Sequence, residues 1–230
     1  MEHVPGRTLI LKVLVGSRAH GLANESSDHD YRGVYVDETR RLVGLDPPPK
    51  STSWIEGAHA EDGKIDDTAW ETGHFLKMAT QCNPTILEVF TAPVVEATVE
   101  GHELRALWYD LWDPARVRDA FIGYGSNQRK KMLDARADPR WRKFAVAYLR
   151  VLHQAHVLLT LGTLIVDMRG QNVYDRLVRW RKGEMTPGEV IDVCSEKQAS
   201  VEAAARLCSK VPSLDRANQF LADMRWRHFG

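Results

Sequence analysis

The sequence predicts an α+β fold: a small mixed β-sheet with flanking helices over residues 1–104, followed by an α-helical bundle over residues 105–230. Three observations predict it. Short apolar, β-rich runs bounded by Gly, Pro and Asp-Gly turn signals fill the N-terminal part. Beyond Arg105 the apolar residues recur at helical spacing, and prolines stand where helices would begin. Charge divides at the same place, with 10 Lys+Arg against 17 Asp+Glu in residues 1–105 and 21 against 14 in residues 106–230. An acidic half joined to a basic half can set a metal site against a phosphate-binding surface; two solvated surfaces that attract one another would look the same.

Arg7 to Val15 (RTLILKVLV) is too short a run for a lone helix and reads as a buried strand ended by Gly16-Ser17. Gly16 lets backbone approach a ligand closely, and Ser17 offers a hydroxyl and an N–H to a phosphate oxygen. Arg18 to Ser27 is a polar connection. Asp28-His29-Asp30 follows, running into the β-rich segment YRGVYV. In a strand, residues i and i+2 share a face, so Asp28 and Asp30 would stand side by side and repel. A divalent cation removes that repulsion, and Mg²⁺ prefers one or two carboxylates plus substrate phosphates and water. A D-x-D alone is more often an exposed turn; the Gly-Ser turn upstream and the flanking strands favour a metal site.

Pro47-Pro48-Pro49 marks a stiff connector. Trp54–His59 and Lys64–Thr68, joined through Glu61-Asp62-Gly63, read as a hairpin. A third acid for a metal centre would come from its second strand, where Asp66 and Asp67 point to opposite faces; periodicity does not choose between them. Trp70–Thr80 reads as a helix, and Asn83-Pro84 as an N-cap and first turn of another. Pro93 and the polar stretch 96–101 mark the expected boundary. The helical half begins new helices at Pro114, with a break or bend at Gly123 and Gly125, and at Pro139, ending at Gly162. Further helices are expected near 173–181, 187–208 and 214–226. His153 and His156 have a metal-compatible spacing but no third ligand nearby, so packing is their expected role.

At 43% hydrophobic and 27% charged residues the composition is that of a soluble globular protein. No apolar run approaches the roughly 20 residues that span a bilayer, and no signal-peptide pattern opens the chain. A cytoplasmic protein without a membrane partner is the expectation. The three cysteines, Cys82, Cys194 and Cys208, have no paired spacing and are expected to be reduced thiols.

Gly-Ser, ten residues, then D-x-D between strands resembles the nucleotidyltransferase signature of the DNA polymerase beta superfamily. More narrowly, GSRAHGLANESSDHDYRGVYV resembles the RNA repair pathway DNA polymerase beta (RlaP-like) family, whose members show a G-S-R-x-x-G…S-D-x-D-x-R-G stretch. The family pattern continues through Asp66, Glu71, Phe75-Leu76, Asn83-Pro84 and Leu87-Glu88, which selects Asp66 over Asp67. His20 replaces an aromatic common in the family, and Tyr148 stands where a histidine is expected. The resemblance implies a nucleotidyltransferase core that moves a nucleoside monophosphate from a nucleoside triphosphate such as ATP to a hydroxyl. It implies two Mg²⁺ ions, or Mn²⁺, on Asp28, Asp30 and Asp66. Gly16, Ser17 and Arg18 would receive the phosphates, and Lys143 and Arg150 would be basic contacts at the start of the long helix. Glu71 and Glu88 are read as surface or scaffold hydrogen-bonding residues. RNA or tRNA is the favoured acceptor, with a protein hydroxyl as another. The competing readings are a non-catalytic nucleic-acid or partner-binding relative and a D-x-D glycosyltransferase; the latter leaves Gly16-Ser17 unexplained.

Overall fold

The computed structural model describes residues 6–25, 27–53 and 67–230. It is an α+β molecule: an N-terminal mixed sheet with short helices, then long packed helices. Strand β1 spans Arg7–Val15, the one-turn helix α1 Gly16–Ala19, β2 Asp30–Asp37, α2 Thr39–Leu42, β3 Ser51–Ser53 and β4 Thr68–Glu71. Helices α3 (Thr72–Thr80) and α4 (Pro84–Thr91) follow, then β5 (Val94–Ala97), α5 (Val99–Arg105) and α6 (Trp108–Leu111). The long helices are α7 (Pro114–Asp134), α8 (Trp141–Leu161), α9 (Tyr174–Lys182), α10 (Pro187–Leu207) and α11 (Asp215–Arg227).

The five described strands run in the order β3-β4-β2-β1-β5, with β2 and β4 parallel and the other pairs antiparallel. Residues paired across neighbouring strands share a face. Leu11, Val13 and Val15 therefore lie on one face with Val34, Arg32 and Asp30. That face meets the helices, and Leu11, Val13, Val15 and Val34 join one buried cluster that continues through Phe75, Leu87, Phe121 and Leu152 to Met224. The other face is polar yet buried. There Arg7 donates to both Asp37 carboxylate oxygens at 2.9 and 3.0 Å and lies 3.8 Å over the Tyr35 ring, while Lys12 sits 4.7 Å over Tyr31.

Three boundaries differ from the sequence reading. Trp70 and Glu71 are strand rather than helix: Glu71 is the N-cap of α3, its Oε2 accepting from Gly73 N at 2.8 Å and His74 N at 3.2 Å. The stretch read as a boundary contains β5, which closes the sheet against β1, although Val94 and Val95 are exposed and carry no inward-facing apolar pattern. Helix α7 continues through Gly123 and Gly125, because Gly125 is where Tyr148 of α8 packs; a Cβ there would lie 3.1 Å from that ring. The expected hairpin across residues 54–66, with Asp66, lies outside the described residues. Asn83 caps α4 by accepting from Thr85 N at 3.0 Å, and Gly162 ends α8 at φ 73°, both as expected.

Helix α8 is the centre of the helical half, packed by α7, α9 and α10. Among the described residues it is the one helix long and apolar enough to cross a membrane, and 72% of its apolar window is buried inside the molecule. Helix α11 returns to α3, α5 and α6, where Arg225 pairs with Glu71 at 2.6 Å. Cys82 and Cys194 are buried free thiols, pushed by burial up to about 11 and about 12.

Candidate functional site

A cleft of about 530 Å³ opens where the end of β1 and the start of β2 face α8 and α9. One wall is contributed by residues close in sequence: Gly16, Ser17, His20, Leu22, Asn24, Ser27, Asp28 and Asp30. The other comes from Pro139, Arg142, Lys143, Val146, Ala147, Arg150 and Arg181. The cleft therefore sets two carboxylates against four basic side chains across a short ledge of apolar surface.

Local chain geometry builds the acidic wall. Gly16 has φ +69°, a left-handed conformation that only glycine adopts readily, and a Cβ there would overlap Asp30 Oδ2 and lie 2.9 Å from its Cγ. The glycine thus gives the Asp30 carboxylate its space as well as turning the chain. Asp30 is the first residue of β2 and partly exposed; Asp28 precedes the strand and is exposed. The expectation that both aspartates sit in one strand is thereby corrected, and the loop bend brings both to the cleft. Arg18 does not line the cleft. Its Nε and Nη2 donate to the Ser27 carbonyl at 3.1 and 2.7 Å, which draws the connecting loop together. Ser27 Oγ donates to Asn24 Oδ1 at 2.7 Å and accepts from Arg181 Nη2 at 3.2 Å, so the same loop is tied to α9. Further ties run from Met168 N to the His20 carbonyl and from Tyr174 Oη to the Gly21 carbonyl.

The basic wall is tertiary. Lys143 and Arg150 are two turns apart on α8 and so lie near one face. Arg142 Nη1 donates to the Lys182 carbonyl at 3.3 Å, beside Gly183 at the end of α9. Arg142 Nε is buried beside Gly183 without a hydrogen-bond partner among the described groups. Arg150 Nη1 donates to Gln154 Oε1 at 2.8 Å and lies 3.9 Å from Glu88 Oε2. Glu88, from α4, is buried rather than on the surface, and its Oε1 is 2.6 Å from His20 Nε2. Although burial opposes its charge, His20 and Arg150 together hold Glu88 down at about 2. Burial, then Arg150, lowers the His20 pKa, leaving His20 neutral at pH 7 and donating to Glu88.

Asp67 is 1% exposed and its Oδ1 accepts from Tyr31 N at 2.9 Å. Burial raises its pKa, with Tyr31 N–H, Lys12 and Arg32 working the other way. Among the described residues there is no group of three or more His, Cys, Asp and Glu placed to hold a metal ion. His153 bonds Gln171 Oε1 through Nε2 at 3.1 Å. The sequence reading assigned no cleft role to His20 and did not single out Arg142 or Arg181. The available signal was Glu88: a single acid inside the otherwise apolar run Ile86–Phe90, all buried.

The chain is 27% identical over 116 residues to the "Uncharacterized protein YcgL" of Bacillus subtilis (strain 168), a match covering 50% of this chain and 43% of that protein. The chain thus spans under half the length of that relative. One family model, described as the RNA repair pathway DNA polymerase beta family, matches residues 1–210. The protein belongs to the RlaP family, the RNA repair pathway DNA polymerase beta family.

Proposed function

We propose that this protein transfers a nucleoside monophosphate from a nucleoside triphosphate to a hydroxyl, with an RNA or tRNA end as the favoured acceptor. The observation that carries the reading is the cleft, in which Asp28 and Asp30 face Arg142, Lys143, Arg150 and Arg181. A triphosphate is the ligand whose charge suits the basic wall, and carboxylates opposite it suit a hard divalent cation with oxygen ligands. Asp28 and Asp30 would hold Mg²⁺ or Mn²⁺, which when bound lowers the pKa of the attacking hydroxyl and neutralises the leaving pyrophosphate.

The chain's own residues divide the remaining work. Gly16 and Ser17 seat the phosphates on the acidic wall, while Arg150 and Lys143 bind them from α8. Arg142 and Arg181 close the far side. Arg18 acts from behind, keeping the loop that carries Asp28 folded onto the Ser27 carbonyl. A bond forms between the acceptor oxygen and the α-phosphorus, the bond to pyrophosphate breaks, and the hydroxyl proton passes to a carboxylate. The third acid is assigned to Asp66. Asp67 has its carboxylate on the Tyr31 amide, and the β2–β4 register, which pairs Arg32 with Thr68, places Asp67 on Tyr31's face. Asp66 is the acid that the family pattern selects, and it lies outside the described residues. Exposed bases of the helical half, including Lys130 and Lys131 on α7, would draw a nucleic-acid acceptor; Arg140 and Arg179 are partly neutralised by Asp138 and Glu184.

Label transfer from each of the four α-phosphate-labelled nucleoside triphosphates, with Mg²⁺ and total cellular RNA and protein, tests this reading. Label that enters RNA and vanishes in Asp30→Asn supports it. Silence in both proteins, with RNA binding retained, would replace it by a non-catalytic nucleic-acid-binding role.

A further inference from the structure

We infer that Glu88 is a positioning residue of this cleft, fixing the tautomer of His20 and the direction of Arg150 so that the wall presents a hydrogen-bond acceptor beside a permanent cation. The inference rests on the phosphate-binding reading of Arg150.

Glu88 is out of place by composition. It sits in α4 between Leu87 and Val89, with Ile86 and Phe90 one position further on, all buried. A carboxylate in such a run costs several kcal/mol in desolvation, about as much as its ion pairs return, so stability alone does not account for it. What it touches does. Oε1 is 2.6 Å from His20 Nε2 and Oε2 is 3.9 Å from Arg150 Nη1, and both partners line the cleft that holds Asp30.

The hydrogen-bond inventory assigns the tautomer. An ionised carboxylate only accepts, so Nε2 of His20 carries the hydrogen and Nδ1 of the neutral ring is an acceptor. Arg150 is braced at the same nitrogen from two directions: Nη1 donates to Gln154 Oε1, and Gln154 Nε2 in turn donates to the Ile165 carbonyl at 2.9 Å. Among the described residues Arg150 Nε and Nη2 make no hydrogen bond, which leaves them for a ligand. An acceptor beside a guanidinium matches a hydroxyl beside a phosphate, the arrangement a nucleotide offers and inorganic polyphosphate lacks. Arg150 should therefore contribute to binding either ligand, and His20 to binding the nucleotide alone.

Calorimetric binding of ATP and of inorganic tripolyphosphate to the full chain separates positioning from charge. If Glu88 were merely a negative charge near an anion site, Glu88→Gln would tighten both ligands. As a positioning residue its loss weakens both, by roughly tenfold, the scale expected when a charge-assisted hydrogen bond loses its geometry. Glu88→Asp, which keeps the carboxylate one methylene short, should recover part of the loss. ¹⁵N spectra of the wild-type His20 ring should show the neutral Nε2–H form at pH 7. Equal or tighter binding by folded Glu88→Gln, or an Nδ1–H tautomer in the wild type, would overturn this inference alone. Wild-type protein that binds neither ligand would overturn the phosphate reading along with it.

Discussion

The two walls of the cleft are built in opposite ways. The acidic wall runs from Gly16 to Asp30, a single turn of chain between adjacent strands β1 and β2. The basic wall takes side chains from α8 and α9, which pack on one another, with Arg142 reaching the Lys182 carbonyl and Arg181 reaching back to Ser27. A site whose geometry is set by local backbone fails when one residue changes; a site set by helix packing loses strength in steps.

The largest effect should come from the acidic wall. Asp30→Asn keeps the shape and removes the charge, and should lower label transfer by roughly 10²–10³-fold with little change in melting temperature. Gly16→Ala breaks the same wall sterically. The alanine must adopt a left-handed backbone, costing about 1–2 kcal/mol, and displace the Asp30 carboxylate. Transfer should fall nearly as far as in Asp30→Asn, with a melting temperature lower by roughly 2–8 °C. An active Gly16→Ala would show that Asp30 does not need the position seen here.

Single changes in the basic wall should be graded. Arg150→Ala, Arg142→Ala and Lys143→Ala should each raise the apparent KM for the nucleoside triphosphate by roughly tenfold, the loss of one charge-assisted hydrogen bond, while kcat changes less. Collapse of kcat with unchanged KM in any of them would move that residue to the chemical step. Arg18→Ala should have the smallest effect, a KM change of about two- to fourfold through a loosened loop, with stability altered by less than about 1 kcal/mol.

A pH dependence separates the histidines of the molecule from its buried acid. His20, His153 and His156 all have pKa values lowered from 6.5, each mainly by burial. Below 6.5 the unfolded chain takes up protons that the folded chain still refuses, so this stability is full above 6.5 and declines as pH falls toward the lowered values. Glu88 moves from 4.5 to about 2, so its contribution is complete above 4.5 and is lost only as pH drops through about 2. Urea unfolding at about pH 5.5 and about pH 7.5 should therefore show lower stability at the acidic value, with a shallower difference in His20→Gln. A flat profile would show these histidines to be protonated in the folded protein.

The same local-versus-tertiary division explains what was legible. Val13 to Val36 could be read because strand, glycine turn and paired aspartates are encoded within one stretch, and the chain needs no distant partner to make them adjacent. Val94–Ala97 was unreadable as a strand because its side chains are largely exposed and its place depends on hydrogen bonds to β1 rather than on an apolar pattern. Gly125 signalled a break, whereas packing against Tyr148 made it a close helix contact. The sequence by itself determined the α+β class, the caps at Asn83 and Gly162, and the stretch that forms the acidic wall, since dihedral preference and chain connectivity act over a few residues. Only the tertiary structure decided which bases among the many on the helices face the aspartates, and why an acid stands in the core of α4. Those outcomes depend on how whole helices pack, and an individual arginine carries no local mark of the helix face that will meet the sheet.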